Sequence, residues 1–472
     1  MAGHARTQNV ARFANGVSPY PPSPPPGAWP APREVSGEAV GAVLAIPALL
    51  LLGLAIVIWL VVRAFTKEST GWSTAVQSTG WTTMTQAGAR VDLDPIRATD
   101  PEFSAAIFED FLYFLYTQAH SARGQNQLPR LAPWLSPRAI AALSQRGVVP
   151  VTTIVVGAMR FLRFDTRDPA RHSVQVEFET NYTEQHPNGP HAFWVTERWW
   201  LTRARNAKSR PPERARVFDC ANCGAPLDQI VGHQCRHCGR VVDTGEMDWR
   251  VESVETIHVQ PRGPMLTGET AEVGTDFPTI VDPQLPQRLA QLQAADPGFD
   301  MRALEARVGL VFATMQTAWS SLEWQRARPF LSDNLYEAQR YWIEAYRNAG
   351  LRNVTSHTQI LRIDPARVTQ DKWFTAITLR VYATGYDYTV RDADQHVVGG
   401  NRTKKRTYSE YWTLLRGTGV TGKVHTTPEC PKCGAPLDVS MAGNCKSCQA
   451  KVNSGKFDWV LARIEQDEAY TG

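Results

Sequence analysis

Outside two 30-residue stretches the chain has no cysteine, so only those stretches can be held together by sulfur chemistry. No nucleophile–base pair, phosphate loop or other catalytic motif stands out, and no βαβ pattern surrounds the cysteines, which argues against thioredoxin-like chemistry. A large excess of one charge is missing too. The 50 Lys and Arg against 46 Asp and Glu leave +4 and a pI near 8.6 on 472 residues, which alone implies neither nucleic acid nor a membrane surface. No acidic residue precedes Glu34, and residues 39–62 carry no charge at all.

Those two charge-poor stretches organise the start of the chain. Residues 1–38, with YPPSPPPGAWPAP at Tyr20–Pro32, cannot form a core and favour extended polyproline II, which predicts a disordered tail. Arg6 and Arg12 in this acid-free start also resemble a weak organelle-targeting signal. The run AVGAVLAIPALLLLGLAIVIWLVV, at ~1.5 Å per residue, covers a ~30 Å hydrocarbon layer and predicts one membrane-spanning helix at residues 39–64. Arg63 and Lys67 after it, against Arg33 before it, place residues 63–472 in the cytoplasm. Residues 65–99 read as a linker whose Trp72 and Trp81 sit at the headgroups or against protein.

The cysteines themselves form a duplicated module. Cys220–Trp249 and Cys430–Trp459 are identical at 13 of 30 positions without a gap, and each spaces its cysteines C-x2-C-x11-C-x2-C. Two such turns present four thiolates to one tetrahedral ion, so Cys220, Cys223, Cys235 and Cys238, and Cys430, Cys433, Cys445 and Cys448, are expected to hold two structural Zn2+ ions. Gly224 and Gly434 follow the second cysteine, where positive φ lets amides turn back toward sulfur. The alternatives are two disulfides per module, an iron–sulfur centre or redox-active pairs. A chain this long can bury a core without staples, which weighs against disulfides. His233 and His237 have Gly443 and Ser447 as their counterparts and are not expected to be ligands. A closed four-sulfur site does no chemistry, and the ribbon tips QIVGH and VSMAG lack basic residues, so no nucleic-acid partner is expected.

The ribbons interrupt two larger repeats. Module one opens at Asp100–Pro101 and module two at Asp296–Pro297, each read as an Asp cap with Pro at the first helical position. Phe103, Ile107, Phe108, Phe111, Leu112 and Leu115 in one, and Leu304, Val308, Phe312, Met315 and Trp319 in the other, recur at helical spacing. Pro133–Ser136 and Pro329–Ser332 follow at the same offset of 196, their serines placed to cap a second helix. Strands are expected at 151–164, 173–183, 193–202 and 249–259, and at 354–363, 373–384, 406–415 and 459–464. Val174, Val176 and Phe178 alternate with Gln175, Glu177 and Glu179, as in a half-buried strand. The pattern predicts an α+β chain of two cone-shaped helix-plus-antiparallel-sheet domains, each with an inserted four-cysteine ribbon, behind one N-terminal transmembrane helix. The domains span 100–259, with its ribbon at 217–248, and 296–466, with its ribbon at 427–458. A linker with a short helix near Leu289 fills 260–295, and residues 467–472 are a tail.

The order DPxF, apolar helix, PWLS or PFLS, ExW, then DW resembles the C-terminal domain of the mitochondrial inner-membrane translocase subunit forty-four, within the nuclear-transport-factor-two-like cones. The matching positions are Asp100, Pro101, Phe103, Glu197, Trp199 and Trp249, and Asp296, Pro297, Phe299, Glu410, Trp412 and Trp459. The resemblance implies a membrane-associated, non-enzymatic domain that tethers protein partners and takes lipid acyl chains in an apolar pocket. Bacteria carry similar domains, which points to a bacterial inner membrane. The ribbons, the duplication and the integral anchor depart from the mitochondrial pattern, so import-motor anchoring does not carry over.

Candidate pocket residues are Val176, Phe178, Glu197 and Trp199, with Leu379, Val381, Glu410 and Trp412. Glu197 and Trp199 share a strand face, as do Glu410 and Trp412. Lining a cone would raise each glutamate's pKa and suit it to acid–base work, the alternative reading being a pocket enzyme like isomerases or dehydratases of this fold. A structural glutamate paired with an arginine is the competing expectation. Basic clusters at Arg198–Arg216 and Arg402–Arg406 read as lipid-facing patches or solvated loops.

Overall fold

The computed structural model describes residues 90–472, apart from 215, 217, 221, 222, 224, 226–229, 232, 233, 243 and 268–273. The expected tail at 1–38, the helix at 39–64, Trp72, Trp81, Gly224 and His233 lie outside the described residues. Among the described residues no helix is long and apolar enough to cross a membrane.

In module one, α1 (Ala105–Gly124) and α2 (Pro137–Ser144) precede β1 (Val151–Asp165), β2 (Arg171–His186), β3 (Gly189–Ala204) and β4 (Arg250–Pro261). The strands form one antiparallel sheet in the order β1-β2-β3-β4. The apolar stripe of α1 meets Val174, Val176, Phe178, Trp199 and Leu201 of the sheet in one core. Each such side chain, fully buried, stabilises the fold by about 1.5–3 kcal/mol. The outward residues of β2 are covered as well: Arg160 bridges Glu177 at 2.6 Å and Glu179 at 2.5 Å, and Arg198 reaches Glu177 at 2.8 Å.

Module two repeats the plan with α3 (Leu285–Ala295), α4 (Met301–Ser320), α5 (Asp333–Asn348), β5 (Leu351–Gln370), β6 (Phe374–Arg391), β7 (Val397–Gly417) and β8 (Val460–Gln466), in sheet order β5-β6-β7-β8. The β6–β7 hairpin runs well past the expected ends. Gly400 permits this, because its φ of +69° lets β7 pass where any Cβ would collide with the Asp387 carbonyl. The serines cap as expected, Ser136 Oγ accepting from the Ala139 amide at 3.1 Å and Ser332 Oγ from Leu335 at 3.3 Å. Each of these segments also bridges the last strand, Leu135 beside Val251 and Leu331 beside Leu461. The ribbons lie between β3 and β4 and between β7 and β8.

Asp100 and Asp296 are not the helix caps they were expected to be. Ser104 and Asp300 cap α1 and α4, while Asp100 and Asp296 open Asp-Pro turns closed by the Phe103 and Phe299 amides at 2.9 Å. Their buried carboxylates face arginines from the sheet: Arg203 Nη2 donates to Asp100 at 3.0 Å and Arg416 Nη2 to Asp296 at 2.6 Å. Those guanidiniums lie over Trp249, 5.0 Å to the centroid, and Trp459, 4.7 Å. A fully buried guanidinium requires a carboxylate, a stronger demand than an exposed helix end makes. One joint thus ties the start, third strand and last strand of each module.

The expected linker and tail are also more than connections. Residues from Gly274 onward strap the outer face of the module-two sheet, where Arg380 donates to the Gly274 and Phe277 carbonyls and to Asp467. Tyr470 stacks on Tyr411 at 3.8 Å. The tail's Arg367 partner, the Gly472 carbonyl, also receives Arg90 Nη1 at 3.4 Å, so the two ends of the described chain meet. The modules themselves touch through polar contacts: Arg216 and Asn334 share Asp110, Arg463 pairs with Glu109, and Trp373 Nε1 donates to the Glu102 carbonyl at 3.0 Å.

Candidate metal centres and cone interiors

Both four-cysteine sets converge. All Sγ atoms of each set lie within 4.8 Å of one another. Within the sets Cys220–Cys238 stand at 3.7 Å, Cys223–Cys235 at 3.8 Å, Cys430–Cys448 at 3.8 Å and Cys433–Cys445 at 4.0 Å. Four sulfurs about 2.3 Å from a central ion would stand roughly 3.8 Å apart, so the spacing fits a tetrahedral ion. All eight cysteines are free of disulfides.

The turns are built to aim amides at sulfur. Gly434 takes a φ of 71° as expected, and the residues after the fourth cysteine do likewise, Gly239 at 71° and Gln449 at 60°. The Gly434 and Gln449 amides return to the carbonyls of Cys430 and Cys445 at 2.8 Å. Amides of Cys448 and Ser447 directed at Cys445 bring its thiol down to about 7, whereas burial pushes Cys430 up to about 11. Four thiols this close gain most from a cation that lets all ionise together. His237 is exposed and outside the set.

The second ribbon is also bolted to its module. Arg328 Nε donates to the Met441 carbonyl at 2.8 Å, and Lys451 and Asn453 reach Asp333 at the start of α5 at 2.8 and 3.0 Å. Burial raises the pKa of the Asp333 carboxyl, but Lys451 and Arg328, which also donates to it, hold it well below its usual range.

The eight candidate pocket residues are all buried, and the strand register brings them together in pairs: Phe178 opposite Glu197, Val176 opposite Trp199, Val381 opposite Glu410, Leu379 opposite Trp412. The six apolar ones belong to the packed cores of their modules. Glu197 differs from expectation. Burial raises its pKa, but His120 Nε2 at 3.2 Å and the Trp199 indole N–H at 2.9 Å outweigh that, and the net shift is downward. Its partner is therefore a histidine from α1, neither a vacant pocket nor an arginine at the sheet edge. His120 was missed because it stands alone in sequence; its spacing one turn after Tyr116 on the apolar stripe was the available signal.

The basic cluster after β3 is largely neutralised within its own module. Arg203 holds Asp100, Arg210 holds Asp219 and Asp248, Arg214 holds Asp219 and Arg216 holds Asp110.

With this geometry the chain can be compared with known proteins. Residues 285–425 match the family model of the Tim44-like domain. The matched stretch runs from the start of α3 to just short of the second ribbon, within module two. Among solved structures, an "Ntf2 like protein involved in plasmid conjugation" aligns over 76% of this chain and 94% of its own, at 8% identity and a TM-score of 0.17. No curated protein matches.

Proposed function

We propose that this chain is a membrane-anchored, non-enzymatic scaffold whose two α+β modules bind protein partners and whose ribbons are structural zinc sites. The observation that carries the reading is the repeated tetrahedral four-sulfur geometry on modules whose interiors are packed with their own side chains. The Tim44-like match over module two supports a tethering role, and the uncharged run at 39–64 supports the anchor, with residues 63–472 in the cytoplasm. Zinc there would supply folding energy, about 10–16 kcal/mol in comparable four-ligand peptides. Acyl-chain binding, the other role the resemblance implies, requires these packed faces to open, so protein tethering is the better supported function.

Native mass spectrometry of the full chain in nanodiscs, prepared without added metal, tests this. Two zinc ions per chain, and no chemical conversion of any small molecule retained with them, are the expected result. A chain without metal would overturn the structural-zinc reading, and chemical conversion of a retained small molecule would overturn the non-enzymatic one.

A further inference from the structure

The two modules differ at the mouth of the cone. In module one, His120 from α1 bridges to Glu197, and four residues past Phe178 the ring of Tyr182 packs beside His120 at 5.1 Å. In module two the residue equivalent to His120 is Gln316, and four residues past Val381 stands Gly385. Histidine and tyrosine have thus given way to an amide and a hydrogen.

The consequence is a cleft at that place, about 440 Å³ counted to its open mouth, lined by Gln316, Gly385, Asp387, Arg406, Tyr408 and Glu410 among others. Gln316 is 6% exposed, its Nε2 lies 3.5 Å from the Tyr408 hydroxyl, and its Oε1 has no hydrogen-bond partner. A buried amide oxygen without a donor is unfavourable, so the site calls for a donor. Glu410 accepts the Trp412 indole N–H at 3.1 Å, and Asp387 accepts from Asn353 at 2.8 Å with Arg406 at 3.4 Å. Two carboxylates against one guanidinium leave the lining one charge negative. The enclosed part holds little more than one water-sized group, which excludes an acyl chain and suits a compact cationic head.

We propose that this cleft binds a primary ammonium group, either on a small free amine or on the headgroup of an amine-bearing phospholipid. The ammonium donates to Gln316 Oε1 and to the Glu410 and Asp387 carboxylates, while Arg406 at the rim faces any phosphate attached to the amine. Module one has no such cleft at this place, where His120 bridges to Glu197 and the Tyr182 ring packs beside it.

The test is calorimetric titration of the full chain in phosphatidylcholine nanodiscs with ethanolamine, with ethanol as the uncharged control. Saturable binding of ethanolamine but not ethanol is expected, weakened at least tenfold by Gln316→His, which installs the module-one bridge to Glu410. Glu410→Gln, isosteric and still able to accept from Trp412, should weaken it similarly with an unchanged melting temperature, and serves if the first variant does not fold. Repeating the titration in phosphatidylethanolamine nanodiscs separates the sources: a loss of apparent affinity there assigns the site to lipid headgroups, and unchanged affinity to free amines. No saturable binding in phosphatidylcholine, or equal binding by wild type and a folded variant, overturns the proposal.

Discussion

Arg416 of β7 donates to Asp296 across 2.6 Å, and the same joint recurs in module one between Arg203 and Asp100 at 3.0 Å. All four side chains are buried, so each arginine depends on its aspartate for charge balance. Asp296→Asn should therefore destabilise module two by about 3–5 kcal/mol, the usual cost of leaving one member of a buried pair alone. Hydrogen exchange by mass spectrometry would show the loss in β5–β8 and little change in β1–β4.

Cys445→Ser should remove one metal ion of two and abolish exchange protection across residues 427–458, with the module-two sheet retained. Metal content by plasma mass spectrometry alongside hydrogen exchange checks both. Unfolding of the whole module would show instead that the ribbon and sheet form a single cooperative unit.

These first outcomes bear on how far the sequence could be read. The cysteine spacing and the repeated PWLS and PFLS segments are local signals, and both sets of elements appear where expected. Asp100 and Asp296 were misread because a cap and a turn share the sequence Asp-Pro; only the distant arginines decide between them. The strap from Gly274 and the tail at Tyr470 read as a linker and a tail because nothing local reveals a buried Arg380 waiting beneath. Strand alternation puts Glu197 on one face with Trp199, but its partner His120 lies on another element, and register alone could not supply it.

Removing residues 467–472 should weaken module two. Arg380 would lose the Asp467 carboxylate, which it contacts at 3.0 and 2.9 Å, and Tyr411 would lose its stacked Tyr470. A fall in the melting temperature of module two is expected, and Asp467→Asn alone should reproduce much of it.

Acid should act on module one through His172. Burial, followed by Arg203 and Arg205, lowers its pKa from 6.5 to about 4, with Asp100 opposing. The unfolded chain then binds the extra proton first, so this contribution is complete above pH 6.5 and is lost as pH falls toward about 4. Urea midpoints between pH 4 and 7 should slope less in His172→Gln than in the wild type.

Asp110→Ala should loosen one module from the other without unfolding either, because Arg216 and Asn334 both depend on it. Small-angle scattering should report a larger radius of gyration, while both modules keep their exchange protection.

The meeting of Arg90 with the Gly472 carbonyl brings the two ends of the described chain to one place on the folded region. A fluorophore or fusion placed after residue 472 would sit beside residue 90, and would report on that place more than on the far end of the modules. Tension between the two ends would open the Arg90 and Arg367 contacts first, like a clasp, before it reached either sheet.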